Sequence, residues 1–244
     1  NNVGIRRAKG RYLFLINSDV NVPTGCIEAL FRHLEENPDI ALLGPQMLGP
    51  DSAVHRSTMR FPTLWNTFCR ALALDRVFRK SKRFGGFLMT DFRHDRTVDV
   101  EVLNGWFWAA RRKAVEQVGL LDEQFFMYGE DIDWCYRFRK AAWRVVFYSG
   151  AAALHYGGGS SAAAPLRFYL EMQRANLQFW QKHRHRSTCM AYRLMAILHE
   201  CARIAGFTTV YMLGRLKRQD ASFKAKRSVA AIDYLAGMAD HDGK

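Results

Sequence analysis

The first part of the chain alternates between short apolar runs and a stretch with helical periodicity. An apolar run at residues 11–16 follows Gly10 and predicts a buried strand. Pro23 and Thr24 begin a predicted helix, whose apolar face is formed by Ile27, Leu30, Phe31 and Leu34. A second apolar run, at residues 40–43, predicts the next strand. A strand, a helix and a strand within roughly thirty residues indicate a parallel sheet with helices packed against it.

The pattern weakens between residues 51 and 97, which we expect to form a loop-rich insertion. Regular elements return with the period-2 alternation of residues 98–102, which is typical of a strand with one solvated face. Further strands are predicted at 106–110, 144–148 and 151–154, and helices at 113–118 and 131–141. The sequence therefore predicts an α/β fold across residues 1–164, with a mixed, mainly parallel sheet flanked by helices.

Residues 165–216 carry longer helical patterns and predict a C-terminal segment of amphipathic helices. The second of these, at residues 190–213, is interrupted by Arg193, Glu200 and Arg203, so it lacks the uncharged span of about 18 residues that a membrane-crossing helix needs. Two interpretations stay open for it: an interfacial helix lying on an anionic bilayer, or a helix packed on the first domain. We expect residues 217–244 to form a basic, weakly ordered tail.

The net charge limits the classes of binding partner, and the cysteine content indicates the cellular compartment. The formal net charge of +13 over 244 residues suits an anionic partner such as a diphosphate, an anionic lipid surface or a nucleic acid. Nucleic acid is not expected, because no motif interleaves stacking aromatic residues with Lys and Arg. The 5 cysteines include no C-x-x-C pair, which indicates a reducing, cytoplasmic compartment and no structural zinc site.

An acidic cluster lies at residues 129–133, where Glu130, Asp131 and Asp133 fall within four positions after an aromatic run. Like charges this close repel each other, and flanking aromatic side chains strip them of water. Such a cluster is typical of a site that binds a cation or transfers a proton. The alternative is an ordinary helix start, where carboxylates complement the helix dipole.

Two further polar residues end predicted strands. Asp19 follows the strand at 11–16, and His155 follows the run at 151–154. Because ligands bind at the carboxyl edge of α/β sheets, we expect both residues to meet the acidic cluster there. An Asp and a His sharing Mg²⁺ or Mn²⁺ with a diphosphate would be reasonable chemistry, although a lone His beside apolar residues is more often part of a core.

Several separated motifs occur in an order that resembles glycosyltransferase family 2. They cover about residues 1–165 and are Asn2-x-Gly4, Ala8-x-Gly10, Asn17-Ser18-Asp19, Gly44-Pro45, Arg60-Phe61-Pro62, Gly119-Leu120-Leu121-Asp122, Gly129-Glu130-Asp131 and His155-Tyr156-Gly157. The resemblance implies a GT-A fold and an inverting, metal-dependent transfer of a sugar from a nucleotide-diphosphate donor. It is nearest to rhamnosyltransferase-like members that act in cell-surface polysaccharide biosynthesis.

The resemblance also implies roles for particular residues. Asp131 would be the catalytic base and Glu130 would orient the site. Metal binding falls on Asp19 and His155, with Mg²⁺ or Mn²⁺ as the cofactor. Donor binding is assigned to four residues, which are Asn2, Asn17, Asp19 and Gly105. Asp133 keeps a structural or helix-start role.

The expected partners are dTDP-rhamnose and a glycan or lipid-linked acceptor, and an anionic membrane surface on the inner face of the cell membrane. The family's first strands, which bind the nucleotide base, would precede Asn1, so the chain reads as a fragment. Two alternatives therefore stay open: a catalytically inactive glycosyltransferase-like piece, and a basic membrane-surface or nucleic-acid-binding module without catalysis.

Overall fold

A computed structural model describes residues 1–78, 80–157, 164–215 and 217–237, and divides them between two compact units. The first unit comprises Asn1–Phe61, Lys80–Gln124 and Glu130–Gly159, and the second comprises the described residues within Pro62–Arg79, Phe125–Gly129 and Ser160–Lys244. The residues of the predicted insertion at 51–97 are divided between the two units, with Pro62–Arg79 assigned to the second.

The first unit contains nine short strands and four helices among its described residues. The strands are β1 Tyr12–Ile16, β2 Val20–Asn21, β3 Ile40–Leu48, β4 Val54–His55, β5 Thr58–Met59, β6 Val98–Asp99, β7 Val102–Leu103, β8 Phe107–Arg111 and β9 Arg144–His155. The helices are α1 Asn2–Arg7, α2 Cys26–Glu36, α5 Arg112–Val118 and α6 Glu130–Lys140. In the second unit, α3 Leu64–Ala71 and α4 Leu74–Val77 precede three long helices, α7 Pro165–His183, α8 Arg186–Met212 and α9 Arg218–Ala236.

The main sheet has the strand order β1-β8-β3-β9-β2, with β4 beside β3 and β6 beside β9. This confirms the predicted mixed α/β architecture, but the share of parallel pairing is smaller than expected. Among the described residues β3 and β9 pair in parallel, whereas the other neighbours in this sheet are antiparallel. An apolar run predicts that a strand is buried, but it does not predict whether the strand pairs in parallel or antiparallel with its neighbours.

The predicted strand at 98–102 is divided between two sheets. β6 pairs with β9 of the main sheet, and β7 pairs with β5 in a separate two-stranded sheet. The Glu101 carboxylate between them accepts the Phe61 backbone N–H at 2.5 Å. The alternating polar residues of this segment therefore mark a crossing between sheets rather than one solvated face.

Helix α2 packs on the sheet through Cys26, Leu30 and Leu34, which are 0–4% exposed. Spacings of four residues place these three side chains along one face. The predicted apolar face was partly wrong, because Ile27 and Phe31 are 39% and 42% exposed. Those two residues lie one position further round the helix.

The second unit is helical, and its three long helices pack on one another. α9 packs on α8 and α7, with Ala231 and Leu235 fully buried. The expectation of a weakly ordered tail is therefore wrong for Arg218–Ala236, because the small and apolar residues along this basic segment recur with a helical period and give it a buried face. Residues 238–244 of the predicted tail lie outside the described residues. Within the described chain, no helix combines the length and apolar character needed to cross a membrane.

Candidate active site

Asp19 and His155 meet where two strands of the first unit pair. Val20 of β2 lies opposite His155 in antiparallel register, and the Tyr156 N–H donates to the Asp19 carbonyl at 3.0 Å. This backbone pairing brings Asp19 Oδ1 to 3.2 Å from His155 Nε2. Both side chains remain accessible, with 40% of Asp19 and 20% of His155 exposed. The two residues that sequence reasoning placed at separate strand ends therefore form one polar pair.

The chemistry of this pair fits a divalent cation. A carboxylate oxygen and an imidazole nitrogen are both ligands for Mn²⁺, and Mg²⁺ accepts one or two protein carboxylates with phosphate oxygens completing its shell. Adjacent ligands of an octahedral ion with bonds of about 2.1 Å lie about 3 Å apart, close to the separation of these two atoms. No group of three or more His, Cys, Asp or Glu residues that could hold a metal occurs among the described residues. The pair therefore fits an ion that takes its other ligands from the substrate.

The acidic residues Glu130 and Asp131 begin helix α6 in the same unit. The Ile132 backbone N–H donates to Asp131 Oδ1 at 2.8 Å, an interaction that complements the open end of the helix. Glu130 Oε2 is buried and accepts no hydrogen bond from the protein. Burial away from water, together with the neighbouring Asp131 charge, raises the pKa of Glu130 to about 7. One of two adjacent carboxyl groups therefore holds a proton near neutral pH.

The raised pKa of Glu130 predicts a pH-dependent stability. Between the ordinary carboxyl value of 4.5 and about 7, the folded chain keeps a proton that the unfolded chain has lost. The free energy of unfolding should therefore fall as pH rises through this window. Glu130→Gln should lack this fall, and exposed Glu116→Gln should keep it, in urea unfolding measured from pH 4.5 to 8. Parallel curves for wild type and Glu130→Gln would contradict the assignment.

Gly105 and Trp106 connect the acidic residues with the Asp19–His155 pair. A Cβ built on Gly105 would lie 3.8 Å from the Asp131 Cβ. The Trp106 ring packs on the His155 imidazole with centroids 5.6 Å apart, and the Asn17 N–H donates to the Trp106 carbonyl at 3.0 Å. The Gly105–Trp106 turn before β8 therefore lies against both Asp131 and the imidazole of the Asp19–His155 pair. Sequence reasoning missed Trp106, because a tryptophan beside a strand reads as core, and it is indeed only 4% exposed.

Substitution at Gly105 should test how closely this turn approaches the site. A Cβ there would lie 3.2 Å from the Trp108 ring and 3.8 Å from the Asp131 Cβ, so the larger side chain of valine would crowd both residues. Gly105→Val should lower the sugar transfer that the family resemblance implies at least about tenfold while reducing stability by about 1–2 kcal/mol. Gly4→Val is a matched control, because nothing lies within 4 Å of a Cβ at Gly4. Transfer unchanged by Gly105→Val would remove Gly105 from the site.

The two asparagines expected to bind donor lie in different surroundings. Asn17 is exposed at the end of β1, two residues before Asp19. Asn2 instead donates to the Leu121 carbonyl at 2.8 Å and accepts the Leu121 N–H at 3.1 Å. Its amide also donates to Glu123 at 2.8 Å. The structure therefore brings Asn17 near the Asp19–His155 pair and gives Asn2 a bracing contact between α1 and the 121–123 segment.

Asp133 has the structural role expected of it. Its side chain is fully buried and accepts a hydrogen bond from Arg137 Nε at 2.8 Å. The same guanidinium donates to the carbonyls of Val118 and Leu120 at 2.7 and 2.8 Å. This pair therefore fixes the end of α5 against α6, the helix that presents Glu130 and Asp131.

Removing the guanidinium should deprive the buried Asp133 carboxylate of its ion pair with Arg137. We expect Arg137→Met to lower the free energy of unfolding by about 3 kcal/mol. Exposed Arg139→Met, two positions along the same helix, should change it by less than about 0.5 kcal/mol. Chemical denaturation followed by circular dichroism measures both values, and equal losses would show that Asp133 does not depend on Arg137.

The chain belongs to the family described as Glycosyltransferase like family 2, whose model matches residues 2–218. Membership of this family agrees with the GT-A-type α/β fold expected from the sequence. An N-acetylglucosaminyl-diphospho-decaprenol L-rhamnosyltransferase of Mycobacterium tuberculosis (strain ATCC 25618 / H37Rv) is 31% identical over 158 residues, which are 63% of this chain and 50% of that protein. The protein of the same description from strain CDC 1551 / Oshkosh matches with the same values. The chain spans about half the length of these curated relatives.

Two solved structures show weaker likeness. A mannosyltransferase from Pyrobaculum calidifontis, in complex with GDP-Man and Mn²⁺, is 12% identical with a TM-score of 0.48, covering 100% of this chain and 66% of that one. GalNAc-T7, crystallised with UDP, GalNAc and Mn²⁺, is 13% identical with a TM-score of 0.43, covering 73% of this chain and 36% of that one.

Proposed function

We propose that the chain transfers a sugar, with inversion at the anomeric carbon, from a nucleotide-diphosphate donor to a hydroxyl of a glycan or lipid-linked acceptor. The observation that carries the proposal is the convergence of the Asp19–His155 pair and the Glu130–Asp131 pair around the Gly105–Trp106 turn, in a member of a glycosyltransferase family. One pair suits cation and diphosphate binding, and the other suits proton transfer.

Each pair has its own part in the proposed reaction. Asp19 and His155 would hold Mg²⁺ or Mn²⁺, which would neutralise the negative charge that builds on the leaving diphosphate. Asp131 accepts the proton of the acceptor hydroxyl as its oxygen bonds to the anomeric carbon and the bond from that carbon to the diphosphate oxygen breaks. Attack from the side opposite the diphosphate inverts the configuration. Glu130, buried beside Asp131, orients the site, and Asn17 and Gly105 contact the donor.

We further propose rhamnose as the sugar and dTDP-rhamnose as the donor. The support is the mycobacterial relative, whose description specifies L-rhamnosyl transfer to an N-acetylglucosaminyl-diphospho-decaprenol. An acceptor of that kind, with a sugar hydroxyl on a lipid-linked diphosphate, is our proposal for this chain too. Asn2, which the family resemblance assigns to donor binding, has its amide bonded to Leu121.

A transfer assay with a panel of nucleotide sugars tests the proposal. The purified chain is incubated with a lipid-linked N-acetylglucosaminyl diphosphate and each donor in turn, with Mg²⁺, with Mn²⁺ or with EDTA. We expect a glycosylated product with dTDP-rhamnose that disappears with EDTA. Transfer from another donor alone would correct the sugar. No transfer from any donor with either metal would favour the alternative, a catalytically inactive piece.

A further inference from the structure

The titratable side chains in the middle of helix α8, namely Arg193, His199 and Glu200, face the neighbouring helices of the second unit. Arg193 donates to the Leu235 carbonyl of α9 at 2.8 and 2.5 Å. Glu200 is 1% exposed and accepts a hydrogen bond from the Tyr169 hydroxyl of α7. Its neighbour His199 lies 3.3 Å from the Ala71 carbonyl at the end of α3. These contacts place α3, α7 and α9 along the charged side of α8.

The opposite side of α8 is uncharged and exposed. Met190, Leu194 and Leu198, spaced by four residues, are 56%, 59% and 57% exposed. Helical spacing continues this stripe through the exposed residues Cys201, Ala205 and Met212. The exposed stripe of residues 190–212 therefore reverses the ordinary amphipathic arrangement, in which charged residues face water.

Two threonines beside this stripe donate their hydroxyls to backbone carbonyls of the same helix. Thr208 donates its hydroxyl to the Ile204 carbonyl at 2.9 Å, and Thr209 donates to the Ala205 carbonyl at 3.0 Å. A threonine bonded in this way satisfies its hydroxyl without water. The last turns of the stripe can therefore face an apolar medium without leaving these groups unsatisfied.

Positive charge lies at both ends of the stripe. Arg186 is exposed at the start of α8, and Arg215, Lys217 and Arg218 are exposed after its end. An apolar helix face flanked by cations fits the boundary of an anionic bilayer, where the apolar side chains enter the acyl region and the cations meet lipid phosphates. A contiguous exposed apolar surface of this kind ordinarily marks an interaction site.

We propose that the exposed stripe of residues 190–212 docks the chain on an anionic lipid bilayer, with α8 lying along the surface. No helix among the described residues qualifies as a membrane span, which is consistent with a helix that lies in the interface. The proposal is independent of the chemistry assigned to the first unit. A second copy of the chain, which could also cover an apolar stripe, is a distinct outcome of the test.

Vesicle sedimentation tests the proposal with the whole chain. Wild type should bind vesicles of phosphatidylcholine with 30% phosphatidylglycerol, and bind pure phosphatidylcholine at least tenfold more weakly. Leu194→Glu/Leu198→Glu should lower binding to the anionic vesicles at least tenfold, because both side chains are exposed and their loss leaves the packed side of α8 intact. Val3→Glu/Val54→Glu places the same charges on side chains 61% and 45% exposed in the first unit and should bind as wild type does.

Cys201 offers a second measurement that needs no substitution. It is exposed on the stripe, whereas Cys26, Cys69, Cys135 and Cys189 are buried. A polarity-sensitive fluorophore attached to Cys201 should shift its emission to shorter wavelength when anionic vesicles are added. An unshifted emission, or equal vesicle binding by wild type and Leu194→Glu/Leu198→Glu, would overturn the proposal. So would a wild-type dimer in light scattering that the double variant abolishes while neither protein binds vesicles.

Discussion

Replacement of Asp131 with asparagine should lower the turnover of sugar transfer by about 10²–10⁴-fold. Asparagine keeps the size of the side chain but cannot accept the proton of an acceptor hydroxyl. The Ile132 N–H can still donate to the amide oxygen, so the start of α6 should remain in place. Affinity for the donor should change little, because cation and diphosphate binding are assigned to the other pair. The loss should therefore appear in kcat, with the donor KM nearly unchanged.

Asp220→Asn is a suitable control for Asp131→Asn, because Asp220 is exposed in the second unit. It should transfer sugar at the wild-type rate. Single-turnover measurements at saturating donor separate chemistry from product release. A turnover within tenfold of wild type in Asp131→Asn would show that another group takes the proton. Glu130, with its buried and unpartnered oxygen, would then be the first candidate.

Replacement of Asp19 with alanine should lower transfer by about 10³-fold or more, since charge neutralisation by a metal is worth several kcal/mol. Alanine removes the carboxylate that lies 3.2 Å from His155 Nε2. A single imidazole is a poor ligand for a hard cation. The residual activity should therefore no longer respond to Mg²⁺ or Mn²⁺, which a metal titration of the initial rate measures.

His155→Gln provides the comparison for Asp19→Ala. It removes the imidazole but leaves the carboxylate, the stronger ligand for Mg²⁺. The rate of sugar transfer should therefore fall less than in Asp19→Ala, and it should fall further with Mn²⁺ than with Mg²⁺. Thermal unfolding should show that both variants keep the fold, because Asp19 and His155 are partly exposed. Metal-dependent transfer by Asp19→Ala within threefold of wild type would place the cation elsewhere.

Local sequence patterns predicted strands and helix ends well where a residue type directly determines the local structure. The apolar runs predicted β1 and β3, and α5 ends at Val118, as the predicted helix at 113–118 does, before Gly119 with φ of 86°. Strand direction was not predictable in the same way, because apolar content carries no direction. The separation of residues 62–79 from the first unit was also missed, because it depends on which distant helix covers α3.

The site was predictable to the extent that its residues end strands or begin helices. Asp19 and His155 were expected at one sheet edge, and the pairing of β2 with β9 brings them together. The burial of Glu130 and the packing of Trp106 on His155 depend on tertiary contacts between residues far apart in sequence. No local pattern encodes such contacts.

Helix α8 shows a different limit. Its arginines and glutamate argue against a membrane-crossing helix, and the sequence leaves open whether the helix lies on an anionic bilayer or packs on the first domain. In the structure Arg193 and Glu200 bond to neighbouring helices, and the uncharged side is the exposed one. A helical period identifies which residues share a face, but the packing partners decide which face is covered.

The central proposal is that Asp19 and His155 bind the cation while Asp131 accepts the proton. It is tested most directly by calorimetric titration of a nucleotide sugar, in the presence of Mn²⁺, into wild type, Asp131→Asn and Asp19→Ala. Wild type and Asp131→Asn should bind with equal affinity, and both should lose binding when EDTA replaces the metal. Asp19→Ala should show no metal-dependent binding. Wild-type affinity in Asp19→Ala, or equal binding by wild type with and without Mn²⁺, would contradict the account.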